Sequence, residues 1–107
     1  LEIVEMPDDS SRVKSAGRID WTVTNGYGVK SKGFYKKEGT QIQGYVSIDP
    51  SDKKVRVGIV KPNGCVDYVS GTESIFFSFD VEESGTYQLY ISNAGRTKIS
   101  VAGAYSK

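Results

Sequence analysis

The segment Ser74-Ile75-Phe76-Phe77-Ser78-Phe79-Asp80-Val81-Glu82-Glu83-Ser84-Gly85-Thr86-Tyr87-Gln88-Leu89-Tyr90-Ile91 (residues 74–91) decides the fold class. Ile75, Phe77, Phe79 and Val81 occupy every second position; the polar stretch 82–85 interrupts, and Tyr87, Leu89 and Ile91 resume the same period. A period of two puts successive apolar side chains on one side of an extended strand, whereas a helix needs them three or four residues apart. The segment therefore predicts two strands joined by a turn, each with one dry face.

The same signature extends in both directions. Ile19, Trp21 and Val23 alternate with polar residues and stop at Asn25-Gly26, a pair that tolerates positive φ. Ile42, Gly44, Val46 and Ile48 stop at Asp49-Pro50-Ser51-Asp52, and Val55, Val57 and Ile59 stop at Lys61-Pro62-Asn63-Gly64. Ile99, Val101 and Tyr105 form the last run. With short candidates at residues 28–36 and 65–70, about eight strands result, spaced as in an all-β sandwich. No window carries the helical period, so helix content should be close to zero.

Alternation of this kind calls for two antiparallel sheets packed face to face. The expected core is the odd-numbered apolar set from Val55 through Val101, with Trp21, Ile42, Val46 and Ile48. Strand spacing does not separate an immunoglobulin-like topology from a jelly roll, but the cysteine–tryptophan–cysteine pattern of the former is absent; a jelly-roll-like sandwich is the expectation. Residues 1–17 lack sustained periodicity and read as a lead-in or linker, with residues 1–6 a candidate edge strand. The sandwich domain then covers residues 18–107.

The 107 residues suffice for one core. Fourteen basic and thirteen acidic residues leave a formal charge of +1, and the two signs are interspersed along the chain, which argues against nucleic acid as a partner. Apolar runs stay far short of the ~20 residues that span a bilayer, so no membrane insertion is expected. Any export signal should lie outside this stretch of sequence.

Chemistry-bearing residues are few. There is no histidine, which removes serine–histidine and cysteine–histidine nucleophile pairs. Cys65 is the single cysteine, so it has no internal disulfide partner and reads as a structural or incidental thiol. Asp49, Asp52, Asp67, Asp80 and Glu82 are the carboxylates to consider for paired acid–base work, but they fall in turns or on polar strand faces, where solvated carboxylates are expected. Asn25-Gly26-Tyr27-Gly28 precedes no helix and so is a turn, not a phosphate loop. No catalytic residue, cofactor site or metal site is expected.

What departs from plain alternation is a set of aromatics at polar-face positions: Tyr45, Phe76 and Tyr90, with Tyr35 and Tyr68 less clearly so, and Tyr27 at a turn tip. Outward rings on a sheet either pair across strands or offer a contact surface to a protein or a sugar.

Three pieces carry a family resemblance: Phe34-Tyr35-Lys36-Lys37-Glu38-Gly39-Thr40, then Val57-Gly58-Ile59-Val60-Lys61-Pro62-Asn63-Gly64, then Phe77-Ser78-Phe79-Asp80-Val81-Glu82-Glu83-Ser84-Gly85-Thr86-Tyr87-Gln88-Leu89. Over residues 33–105 the order of turns resembles bacterial pre-peptidase C-terminal and GOLD-like sandwiches, with Gly39, Gly64, Gly85 and Tyr87 at the matching places. The resemblance implies a non-catalytic accessory domain of a secreted or cell-surface bacterial protein, covalently part of a larger chain, that mediates protein interaction or spacing. Carbohydrate binding through outward tyrosines is the alternative. Calcium bound by some members of that group is not expected here, because Asp49 and Asp52 flank a proline turn without a run of further oxygen ligands.

Overall fold

The computed structural model describes residues 2–5, 16–93 and 95–106, with side chains from Arg18 onward. Of the lead-in assigned to residues 1–17, residues 1 and 6–15 lie outside the described residues. Ten strands follow in order: β1 (Glu2–Glu5), β2 (Ala16–Val23), β3 (Tyr27–Lys30), β4 (Phe34–Lys36), β5 (Gln41–Asp49), β6 (Val55–Val60), β7 (Val66–Gly71), β8 (Ser74–Asp80), β9 (Gly85–Asn93) and β10 (Ile99–Ser106). No helix occurs among the described residues.

Two sheets face each other. One has the order β2-β10-β5-β8; the other runs β1-β3-β9-β6-β7, with β4 also paired to β9. Without β1 and β4, the eight remaining strands pair as β2-β10-β5-β8 against β3-β9-β6-β7, which is jelly-roll connectivity. The expected architecture is therefore present, with two additions. β1 joins β3 in parallel, Ile3 opposite Gly28, so residues 2–5 form an edge of the six-stranded sheet, while all other strand pairs among the described residues are antiparallel.

The second addition is a break in the 28–36 candidate. Lys30 pairs with Tyr90 and Phe34 with Tyr87, so three residues of one strand oppose two of the other, a bulge. Buried Ser31 holds it: its Oγ accepts from the Leu89 amide at 2.9 Å, and its own amide donates to the Leu89 carbonyl at 2.9 Å. Two strands appear where alternation alone predicts one.

Between the sheets, Trp21, Val46, Phe77, Leu89, Ile91 and Val101 belong to one buried cluster; Ile42, Ile59, Val81 and Tyr87 form a second, and Phe34 and Phe79 pack against both. Each fully buried aliphatic side chain of this kind contributes about 1.5–3 kcal/mol relative to exposure. Gly44 makes room for one of them. A Cβ there would stand 2.6 Å from Phe77 Cζ and also collide with the Ala104 carbonyl. The Asn63-Gly64 turn has the expected chemistry: Gly64 sits at φ 88°, and the Asn63 side chain accepts from the Cys65 amide at 3.0 Å.

Candidate functional site

Tyr45 on β5 and Phe76 on β8 are in register, and both point away from the core, because their neighbours Val46 and Phe77 point into it. Tyr45 is 46% exposed and Phe76 80%, with ring centroids 6.1 Å apart and planes tilted by 34°. The register continues through Ala104 of β10 to Arg18 of β2, so Arg18, Ala104, Tyr45 and Phe76 form one row across the outer face of the four-stranded sheet. Beside Tyr45, a shallow depression of about 310 Å³ is lined by Arg18, Asp20, Ser47, Ala102 and Gly103. Small residues on β10 leave the aromatic pair standing above its surroundings.

Tyr90 does not join them. It lies on β9 in the other sheet and is only 7% exposed, so its assignment to an exposed surface is corrected. Its alternation is right, since Leu89 and Ile91 face the core, but β9 is a central strand buried on both faces from Leu89 to Asn93. Lys30 of β3 and Gly58 of β6 flank Tyr90 in register, so the residue sits between two strands and not at an edge. Tyr27, Tyr35 and Tyr68 are exposed, but on β3, β4 and β7, so none reaches the Tyr45–Phe76 row.

The carboxylates are placed as turn and surface groups. Asp67 pairs with Lys61 at 2.7 Å across the β6–β7 hairpin, and this hydrogen-bonded contact holds the Lys61 ammonium above its ordinary pKa of 10.5. Asp80 and Glu82 border a small recess of about 130 Å³ that also contains Lys61, and Asp80 accepts from Gln41 Nε2 at 3.0 Å. Among the described residues, no three cysteine, aspartate or glutamate side chains converge as metal ligands would. Cys65 is exposed in the β6–β7 turn.

A second recess was not legible beforehand. On the outer face of the six-stranded sheet, about 480 Å³ is enclosed by Lys53, Lys54, Arg56, Tyr68, Ser92, Arg96 and their neighbours. Its residues come from the β5–β6 connection, from β6, β7 and β9, and from the β9–β10 connection, so no single segment announces it. The basic run Lys53-Lys54-Val55-Arg56 was the available signal. Buried Asn93 shapes the rim: its Nδ2 donates to the Val23 carbonyl at 3.1 Å and the Thr97 carbonyl at 2.8 Å, and its Oδ1 accepts from the Gly95 amide at 3.1 Å.

No family model and no curated protein sequence matches the chain. Solved structures do. PliG of Aeromonas hydrophila, a periplasmic inhibitor of g-type lysozyme, aligns at a TM-score of 0.66 and 14% identity over 98% of this chain and 96% of its own. The pre-peptidase C-terminal domain of a Bacillus anthracis collagenase aligns at a TM-score of 0.66 and 14% identity, over 99% and 95% of the two chains. A mutant of the Escherichia coli PliG aligns over 100% of both chains at 0.55 and 14% identity. The likeness shows a shared sandwich fold, including the pre-peptidase C-terminal type that the turn pattern resembles.

Proposed function

We propose that the chain is a non-catalytic binding domain of an exported bacterial protein, and that it meets a protein partner through the outer face of the four-stranded sheet. The observation that carries this is the Tyr45–Phe76 pair. A phenylalanine 80% exposed on a regular strand leaves apolar surface in water, and its in-register neighbour is a second exposed ring. Exposed apolar patches of this kind, when grouped, mark contact sites, and aromatic anchors dominate protein interfaces. The 34° tilt between the rings makes a raised knob; a sugar ring stacks better on a flat, coplanar surface. Export is supported by the settings of the two proteins that share the fold, a periplasmic inhibitor and a collagenase domain. The non-catalytic reading is supported by a sequence without histidine, in which the carboxylates serve turns and an ion pair.

The test is calorimetric titration of wild type and a Tyr45→Ala/Phe76→Ala variant, confirmed folded. G-type lysozyme is the first protein to try, because PliG inhibits it; soluble glycans form the second arm. Protein binding that the variant loses is the expected result. Binding that the variant keeps moves the contact off this face, and glycan binding lost in the variant replaces the protein reading with a carbohydrate-binding one. A chain that binds neither is a spacer.

A further inference from the structure

We propose that the recess on the outer face of the six-stranded sheet is a binding site for a phosphate group, and that Ser92 is one of its donors. This site is separate from the Tyr45–Phe76 face, since the two lie on opposite outer faces of the sandwich.

The register supplies the first argument. Arg56 of β6 pairs with Ser92 of β9 on one side and Ser70 of β7 on the other, so one outward row holds a guanidinium between two hydroxyls. All three residues line the recess. Arg56 is further fixed by stacking on the Tyr68 ring, its guanidinium carbon 5.3 Å from the centroid. A planar fork held in this way keeps its N–H groups pre-organised for an oxyanion.

The second argument is the hydroxyl of Ser92. The residue is only 1% exposed, and its Oγ has no hydrogen-bond partner. Buried polar side chains are ordinarily satisfied, and an alanine here would remove the penalty at no loss of packing. The Oγ lies just beneath the wall of the cationic recess, with almost no surface of its own, so a rotation about χ1 is what brings this unpaired donor to a ligand oxygen.

Charge is the third argument. Lys53, Lys54, Arg56 and Arg96 all line the recess, and no carboxylate is among its described lining residues. Asp52, which is not among the lining residues, meets Lys53 at 4.0 Å. The whole chain carries only +1, so the concentration of positive charge is local. Four cations and two hydroxyls exceed what one carboxylate can use, whereas a phosphate brings close to two negative charges and at least three acceptor oxygens. The volume of about 480 Å³ also exceeds a bare anion and lies within the roughly 300–1,000 Å³ of small-molecule sites. The ligand is therefore a phosphate ester, either a soluble one or a lipid headgroup.

The experiment follows backbone amide shifts of Arg56, Ser92 and Thr97 while pyrophosphate is added at constant ionic strength. Saturable shifts are expected, with acetate giving none. Ser92→Ala should weaken pyrophosphate about tenfold, as loss of a hydrogen bond to a charged group does, while leaving the melting temperature equal or higher. A purely structural serine would show the reverse pattern. An Arg56→Gln/Arg96→Gln variant, checked for a native amide spectrum, should lose binding, and Tyr45→Ala/Phe76→Ala should keep it. Two further arms, a sugar phosphate in solution and phosphatidylcholine vesicles carrying phosphatidic acid, identify the source by which of them competes with pyrophosphate. Shifts that never saturate, equal response to acetate, or unchanged affinity in Ser92→Ala would each overturn the proposal.

Discussion

Phe76 and Phe77 are adjacent on β8 and live in opposite surroundings: the first stands 80% exposed across from Tyr45, the second is 5% exposed over the gap left by Gly44. Stability should follow that division. Phe77→Ala is expected to cost about 3–5 kcal/mol, as truncation of packed aromatics does. Phe76→Ala should cost under about 1 kcal/mol, the scale of a cross-strand pair. Urea unfolding of the two variants checks this, and comparable losses would mean that the outer face is covered.

Tyr90→Ala should resemble Phe77→Ala and not Phe76→Ala, because burial decides the loss and strand parity does not. A loss of about 3 kcal/mol or more is expected for a ring only 7% exposed. A loss below about 1 kcal/mol would restore Tyr90 to the surface.

The inner faces were readable because a two-residue period specifies which side chains point into the space between sheets, and Val55, Val57, Ile59, Leu89, Ile91 and Val101 are buried as expected, whereas Val69 of the same odd-numbered set, on edge strand β7, is 40% exposed. The outer faces were not readable in the same way. Periodicity shows that Tyr45 and Tyr90 both point outward, but their exposure depends on neighbours in register, Phe76 and Ala104 for one and Lys30 and Gly58 for the other. Those neighbours are distant in sequence. For the same reason the cationic recess, which joins Lys53 and Arg56 to Ser92 and Arg96, had no local signature beyond a short basic run. The bulge at Ser31 depends on Leu89, 58 residues away.

Gly44→Ala tests the close approach of β5 to β10. The added methyl would meet Phe77 Cζ at 2.6 Å and the Ala104 carbonyl, and a backbone oxygen inside a paired sheet does not move aside easily. Overpacking of this sort costs about 1–3 kcal/mol. Thermal denaturation measures it, and an unchanged midpoint would show that the two strands sit further apart.

The Lys61–Asp67 pair gives the β6–β7 hairpin an alkaline limit. Its hydrogen bond with Asp67 raises the Lys61 pKa above the ordinary 10.5, so the folded state binds the proton more tightly than the unfolded state. The contribution is full below 10.5 and fades as the pH rises through the higher folded value. Titration of the Lys61 side-chain resonances should show a midpoint above that of the same lysine in Asp67→Asn. Coincident midpoints would mean that the 2.7 Å contact does not persist in solution.

Asn93→Ala should loosen the β9–β10 connection while leaving the sheets paired. The buried amide makes three hydrogen bonds that close this corner, two donated to the Val23 and Thr97 carbonyls and one accepted from the Gly95 amide. Alanine fills the volume only in part and leaves the Val23 carbonyl without its buried donor, a loss of about 2–4 kcal/mol. Asn93→Asp should be at least as damaging, because it keeps the acceptor for Gly95 but exchanges both donations for a buried negative charge beside two carbonyls. Amide hydrogen exchange at Gly95 should accelerate in the alanine variant, whereas Leu89 and Val57, in the middle of the six-stranded sheet, should slow or quicken only with global stability. Gly95 exchange unchanged in Asn93→Ala would show that the connection is held by contacts other than this side chain.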